Sequence, residues 1–173
     1  KPAAAMTKSG VVGVLATSRT LASENFAKLT SRFGAEVKIL VQACPGLVEQ
    51  VEAGDLTGSK TRALLEQYLL PLLQQKADTL VLGCTHYPLI YPVIRAATPA
   101  AIDVITQSEI IAERLEDYLQ RHPEMNSHLN RSKPIGQRRY ATTDDPKWFA
   151  EHGHRILGQR IDVENVELAP MER

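Results

Sequence analysis

Apolar residues along this chain fall into short continuous runs that alternate with stretches of helical spacing. The run Val11-Val12-Gly13-Val14-Leu15-Ala16-Thr17 is β-branched and lacks polar alternation, which predicts a strand buried on both faces. Ser18 can cap the stretch that follows, where Leu21, Phe26, Leu29 and Phe33 recur at helical spacing and Gly34 stands at the C-cap position. Residues 37–41 predict a second strand, and Pro45 with Gly46 breaks the run before a helix over 47–52. The clearest amphipathic helix covers residues 59–77. It sets Leu64, Leu65, Tyr68, Leu69, Leu72 and Leu73 against Lys60, Arg62, Glu66, Gln74 and Lys76 on the opposite side. A third strand, Thr79-Leu80-Val81-Leu82, then runs straight into Gly83-Cys84-Thr85-His86.

Residues 89–97 read as a helix in which Pro88 and Pro92 fit only the first turn or a kink. A fourth strand is predicted over 102–105. A helix over 108–119 follows, with Ser108 as cap and Leu115 and Leu119 at i,i+4 spacing. Residues 122–137 are polar, hold Pro123, Asn126, Ser127, Asn130, Pro134 and Gly136, and show no apolar periodicity, so a long exposed loop is expected. A strand over 139–143, a helix over 145–157 with Pro146 at its first position, and a last strand over 163–168 complete the pattern. The alternation predicts an α/β fold with a mainly parallel sheet flanked by helices.

Composition narrows the function. With 43% hydrophobic and 23% charged residues the chain is an ordinary globular one, and its length allows one domain or one domain plus part of another. Twenty basic residues balance twenty acidic ones, which removes the long-range field that nucleic acid or an anionic membrane surface would need. A small or neutral partner is expected instead. Two cysteines, Cys44 and Cys84, make neither a disulfide framework nor a metal-type pair, and a reducing cytoplasm is the expected location. No signal-type segment and no apolar run of spanning length occurs in these residues.

In open parallel sheets, ligands bind at the C-terminal ends of the strands. Three candidates fall there: Thr17 with Thr20, Cys44, and Cys84-Thr85-His86. A thiol just before a helix start meets free backbone N–H groups and the positive end of the dipole, which favours its thiolate. His86 can add charge or a proton, and the same N–H groups with the Thr85 hydroxyl can hold a carboxylate. A buried small hydrophobe is the competing reading of Cys84, and a capping residue that of His86.

The decapeptide Val81-Leu82-Gly83-Cys84-Thr85-His86-Tyr87-Pro88-Leu89-Ile90 resembles the second cysteine motif of glutamate racemases, within the aspartate/glutamate racemase group. Gly13-Val14-Leu15-Ala16-Thr17 with Thr20, Cys44-Pro45-Gly46-Leu47-Val48, Glu52 with Ala53-Gly54, and Ala141-Thr142-Thr143-Asp144 with Phe149 extend the resemblance from about Val11 to about Leu168. The resemblance implies a cofactor-independent enzyme in which two thiols flank the substrate Cα. One removes a proton as thiolate, and the other returns one to the opposite face. It further implies L- and D-glutamate as substrates, a supply of D-glutamate for peptidoglycan, and room for a homodimer of the full-length protein. Carried over by position, Cys84, His86 and Glu52 would be catalytic, with Thr85, His86, Thr17 and Thr20 binding substrate and no metal. A solvated helix carboxylate is the competing reading of Glu52.

Departures from the pattern are informative. The family's Asp-Ser loop and its other catalytic cysteine, within an Asn-Thr segment, are not in these residues; Cys44 stands at a position usually read as structural. Thr106 occupies a position where the family commonly has an acidic residue. With Lys1 in place of an initiator Met, the chain reads as part of a longer one. By the resemblance, residues 1–10 would be an interdomain linker, 11–102 a complete C-terminal α/β domain, and 103–173 segments that return to an N-terminal domain.

Weaker candidates add little. His152 and His154 at i,i+2 do not share a helix face, so a metal pair is not expected there. Lys133, Arg138 and Arg139 are too few for a nucleic-acid footprint, and no G-x-G-x-x-G or Walker loop supports a nucleotide cofactor. Two other functions stay open on the residues: a binding or regulatory module that keeps the carboxylate-holding loop without racemising, and a one-cysteine hydrolase or isomerase using Cys84 with His86.

Overall fold

The strand predicted over residues 11–17 lies inside a four-stranded sheet with every pairing parallel. A computed structural model describes residues 2–129 and 138–169, Glu109 by its backbone alone. The chain divides into two units, Lys1–Glu116 and Asp117–Arg173, and each is taken separately.

In the first unit, β1 (Val11–Ala16), β2 (Lys38–Ala43), β3 (Thr79–Leu82) and β4 (Asp103–Ile105) stand in the order β2-β1-β3-β4. This is the α/β fold with a parallel sheet that the alternation predicts. Five of the six β1 residues are buried, because helices cover both faces and an edgeless central strand needs no polar side. Gly13 serves the packing: a Cβ there would come within 2.7 Å of the Leu80 side chain and 3.0 Å of that of Leu72.

One face of the sheet carries α4 (Leu47–Glu52), α5 (Ser59–Gln74), a 3₁₀ turn (Tyr87–Ile90) and α6 (Tyr91–Ala97). Leu15, Leu47, Leu65, Leu69, Leu72, Leu80, Leu82, Ile90 and Ile94 form its core, all at 2% exposure or less. Burial of such side chains contributes roughly 1.5–3 kcal/mol each. The predicted stripe on residues 59–77 therefore selects the buried side correctly, with Thr61 added and its hydroxyl donating to the Asp55 carbonyl at 2.6 Å.

The other face is thinner. Val12, Val14 and Ala16 form a small cluster under α1 (Pro2–Met6), α2 (Ser18–Leu21) and α3 (Glu24–Phe33). The single helix expected from Leu21 to Phe33 is two. Ser23 breaks it, its hydroxyl donating to the Thr20 carbonyl and accepting from the Phe26 N–H to start α3. No residue of α3 is fully buried.

Asp78 fastens the N-terminal segment to the sheet. Its carboxylate accepts from the Thr7 hydroxyl (2.5 Å), from the N–H groups of Ser9 (2.6 Å) and Lys8 (2.8 Å), and from the Thr79 hydroxyl (3.1 Å). Burial alone would disfavour the charge, but these four donors outweigh it and hold the carboxyl well below the usual carboxylate range.

Helix α7 (Gln107–Arg121) begins one residue before the expected cap Ser108 and crosses the boundary between the units. The second unit pairs β5 (Tyr140–Thr142) with β6 (Val163–Asn165) in parallel and packs α9 (Pro146–Leu157) on them. Pro146 sits in the first turn as predicted. Asp145 caps the helix by accepting from the Lys147 N–H, and Gly158, at φ 69°, closes it. The last strand ends at Asn165 rather than 168. Residues 122–137 do not read wholly as loop, since Pro123–Ser127 forms a short helix, α8, which Pro123 can start despite the polar composition. Residues 130–137 of the expected loop lie outside the described residues.

Candidate active site

The register of the sheet brings three chain exits to one level. Ala16 pairs with Ala43 and Leu15 with Leu82, so Cys44 and Cys84 leave the sheet on either side of Thr17. The ladder extends by one bond on each side, Cys44 N–H to the Ala16 carbonyl (3.0 Å) and Gly83 N–H to the Leu15 carbonyl (2.8 Å). Gly83 is needed for that approach, because a Cβ there would sit 3.1 Å from the Leu15 carbonyl oxygen and 3.2 Å from the Ala16 Cβ.

After Cys84 the backbone turns, with the Tyr87 N–H bonding the Cys84 carbonyl at 3.2 Å, and His86 opens the 3₁₀ turn. The helix expected over 89–97 starts at Tyr91. A tight turn precedes it, since Pro88 and Pro92 each forfeit a backbone donor and confine α6 to Tyr91–Ala97. This turn places His86 over its neighbour. Nδ1 of His86 lies 3.7 Å from Sγ of Cys84, and Nε2 lies 3.2 Å from Oε1 of Glu52. Cys84 is half-buried, whereas the His86 and Glu52 side chains are 34% and 50% exposed, so water screens their attraction.

Glu52 is the last residue of α4, and Gly54 behind it takes φ 81° to end the helix. A carboxylate there faces the negative end of the helix dipole, an arrangement that costs a few tenths of a kcal/mol. What it meets there is the His86 ring. In the tautomer with the proton on Nε2, the carboxylate accepts from that nitrogen and Nδ1 is left as an acceptor facing the thiol.

Of the other predicted residues, Thr85 is exposed beside Cys84. Thr17 and Thr20 meet each other: the hydroxyls are 2.9 Å apart and Thr17 accepts from the Thr20 N–H at 3.2 Å, capping α2. Cys44 is 2% exposed and its thiol donates to the Gln42 carbonyl at 3.4 Å. Burial pushes the thiol up to about 11, which the Tyr87 hydroxyl beside it only partly offsets. The alternating pair His152 and His154 forms no metal cluster among the described residues; His152 stacks on Trp148 and bonds its carbonyl.

Two tyrosines, one in the apolar stripe of α5 and one in the cysteine motif, frame this end of the core. The Tyr68 hydroxyl donates to the Pro45 carbonyl at 2.6 Å and fixes the Cys44-Pro45-Gly46 turn, where Gly46 takes φ 83°. Tyr87 is fully buried, its hydroxyl facing the Cys44 thiol without a nitrogen or oxygen partner among the described residues. A helical stripe reports that Tyr68 is inside, and no spacing rule reports where its hydroxyl goes.

The family model described as Asp/Glu/Hydantoin racemase matches residues 2–115. The chain is 55% identical over 119 residues to the glutamate racemase of Pseudomonas paraeruginosa, covering 69% of this chain and 45% of that one. Among solved structures, it is similar to a glutamate racemase isoform from Bacillus anthracis, with TM-score 0.81 and 30% identity over 96% of this chain and 62% of that one. It is also similar to the Francisella tularensis glutamate racemase in complex with D-glutamate, with TM-score 0.78 and 25% identity over 95% of this chain and 61% of that one. The chain spans roughly half the length of the curated relatives it matches, from 45% to 60%.

Proposed function

The chain belongs to the Asp/Glu/Hydantoin racemase family, and from that premise we propose that it carries one catalytic half of a glutamate racemase. The observation that supports this most directly is the line Glu52–His86–Cys84, with contacts of 3.2 and 3.7 Å, at the C-terminal end of β3.

In this reading Cys84 exchanges a proton with the substrate Cα. As thiolate it removes the proton, and in the reverse direction the thiol returns one. His86 stabilises the thiolate through Nδ1 and Glu52 orients the ring through Nε2. Thr85 and His86 bind the substrate carboxylates, with Thr17 and Thr20 forming the adjoining wall. No cofactor takes part. Inversion requires a second acid/base group on the opposite face of Cα. Cys44 is unsuited, being buried and held as a neutral thiol, so the second thiol comes from outside these 173 residues. The product D-glutamate would serve peptidoglycan synthesis in the cytoplasm, with neither nucleic acid nor membrane as partner, and the full-length protein would be free to form a homodimer.

The main alternative is a racemase-like binding or regulatory module without turnover, favoured by the absence of a second reactive thiol among these residues. Deuterium incorporation at Cα of L- and D-glutamate in D2O separates the two. Exchange that vanishes in Cys84→Ser identifies Cys84 as a working base. Glutamate binding without exchange, persisting after the missing thiol is supplied in a longer chain, would establish the module instead.

A further inference from the structure

The sheet face away from Cys44 carries a half-open cavity of about 330 Å³ between the strands and helices α1, α3 and α7. Its origin is a shortage of side-chain volume. The strands offer Val12, Val14 and Val81, Gly83 offers nothing, and α1 approaches with Pro2, Ala3 and Ala4. Large side chains are nearby but do not fill it: Leu29 on α3 is 52% exposed and Ile111 on α7 is 61% exposed, both at its rim. Among the described residues no charged side chain lines it, and Thr20, Thr30 and Gln107 are its polar lining residues.

We propose that this cavity is a binding site for a compact, uncharged aromatic molecule of about two fused rings. An apolar cavity of roughly 150 Å³ admits one benzene ring, so about twice that volume accommodates a bicycle. The value also falls at the lower end of the roughly 300–1,000 Å³ range of small-molecule pockets, whose pattern is an apolar lining with a few polar groups. The occupant takes Leu29 and Ile111 out of water, which is favourable by roughly 25 cal/mol per Å² of apolar area covered. Charge is disfavoured because the described lining offers no cation or anion to replace lost hydration. The site is distinct from the thiol end of the sheet yet adjacent to it, since Gly83 precedes Cys84 and Thr20 bonds Thr17.

The test is titration of the ¹⁵N-labelled chain with indole, followed by amide shifts. Saturable shifts are expected at α1, α3 and the facing strands, Gly83 included, with NOEs from indole to the methyl groups of Val12, Val14 and Val81. Ala3→Leu and Val12→Phe each put volume into the cavity and should weaken binding at least about tenfold, a loss of roughly 1.4 kcal/mol. Indole-2-carboxylate should bind at least about tenfold more weakly than indole, for want of a cation. If both variants fail to keep a dispersed spectrum, the NOEs decide alone, their presence supporting the site and their absence overturning it. Unsaturable shifts scattered over the surface would overturn it, as would undiminished binding in folded variants. So would concentration-dependent shifts at the same residues without indole, together with a dimer mass in sedimentation, because a second copy would then be the occupant.

Discussion

Nε2 of His86 lies 3.2 Å from Oε1 of Glu52, and that contact turns the other ring nitrogen toward the Cys84 sulfur, 3.7 Å away. The two residues come from different elements, the end of α4 and the turn after β3, so only the fold makes them neighbours. If the imidazole supports the thiolate, Cys84 should react faster with iodoacetamide at pH 7 than a thiol without such a neighbour. His86→Asn is expected to slow alkylation of Cys84 by about tenfold, and Glu52→Gln by less, in keeping with roughly 1 kcal/mol for a solvent-screened pair. Unchanged rates in both variants would leave His86 without a part in the chemistry.

Cys44 should behave in the opposite way. Its thiol is buried and raised to about 11, so peptide mapping after alkylation of the folded chain at pH 8 should find label on Cys84 alone. Both should be labelled in urea. Because Cys44 keeps its proton when folded and loses it near pH 9 when unfolded, the native state binds more protons in that interval. Its contribution to stability therefore falls as pH rises from about 9 to 11. Cys44→Ala should remove that part of the alkaline decline, read from urea midpoints at pH 8 and pH 10.

The placement of the thiol and the imidazole was legible in the sequence. A strand that ends in Gly83-Cys84-Thr85-His86 places a thiol and an imidazole at the ligand-binding edge of a parallel sheet, and the structure puts them there. The parallel sheet followed from continuous apolar runs, because strands buried on both faces cannot alternate. Less legible were features set by single hydrogen bonds. Ser23 splits one predicted helix into α2 and α3, and a 3₁₀ turn precedes α6, since capping and proline geometry act over a few residues and leave the apolar spacing intact. The cavity beside α3 was not legible at all, because volume mismatch between Ala3, Val12 and Gly83 depends on positions far apart in sequence.

Asp78 supplies a test in acid. Its carboxyl is depressed in the folded state, so its contribution is fully present above the unfolded value of roughly 3.9 and is lost as pH falls toward the folded one. Asp78→Asn keeps the size but removes the charge that four donors share, and should cost about 2–3 kcal/mol at pH 7. The gap between variant and parent should narrow as pH falls below about 4. A gap of the same size at pH 3 and pH 7 would show that the carboxylate's charge is not what fastens residues 7–9.

Tyr68 and Tyr87 are both buried in the same core, yet their hydroxyls are placed differently. Tyr68 donates at 2.6 Å to the Pro45 carbonyl, so Tyr68→Phe leaves that acceptor unpaired and should cost about 1–2 kcal/mol. Tyr87 has the Cys44 thiol beside its hydroxyl and no nitrogen or oxygen partner among the described residues, and a thiol is a weak partner. Tyr87→Phe removes a buried polar atom that is poorly compensated, and should leave stability within about 1 kcal/mol of the parent or raise it. The same change removes the group that partly offsets burial at Cys44, so its thiol should rise further. Urea denaturation of the two variants at pH 7 checks the contrast. A loss above roughly 3 kcal/mol for Tyr87→Phe would mean the hydroxyl bonds more strongly than the thiol allows, and the account of this core would have to change.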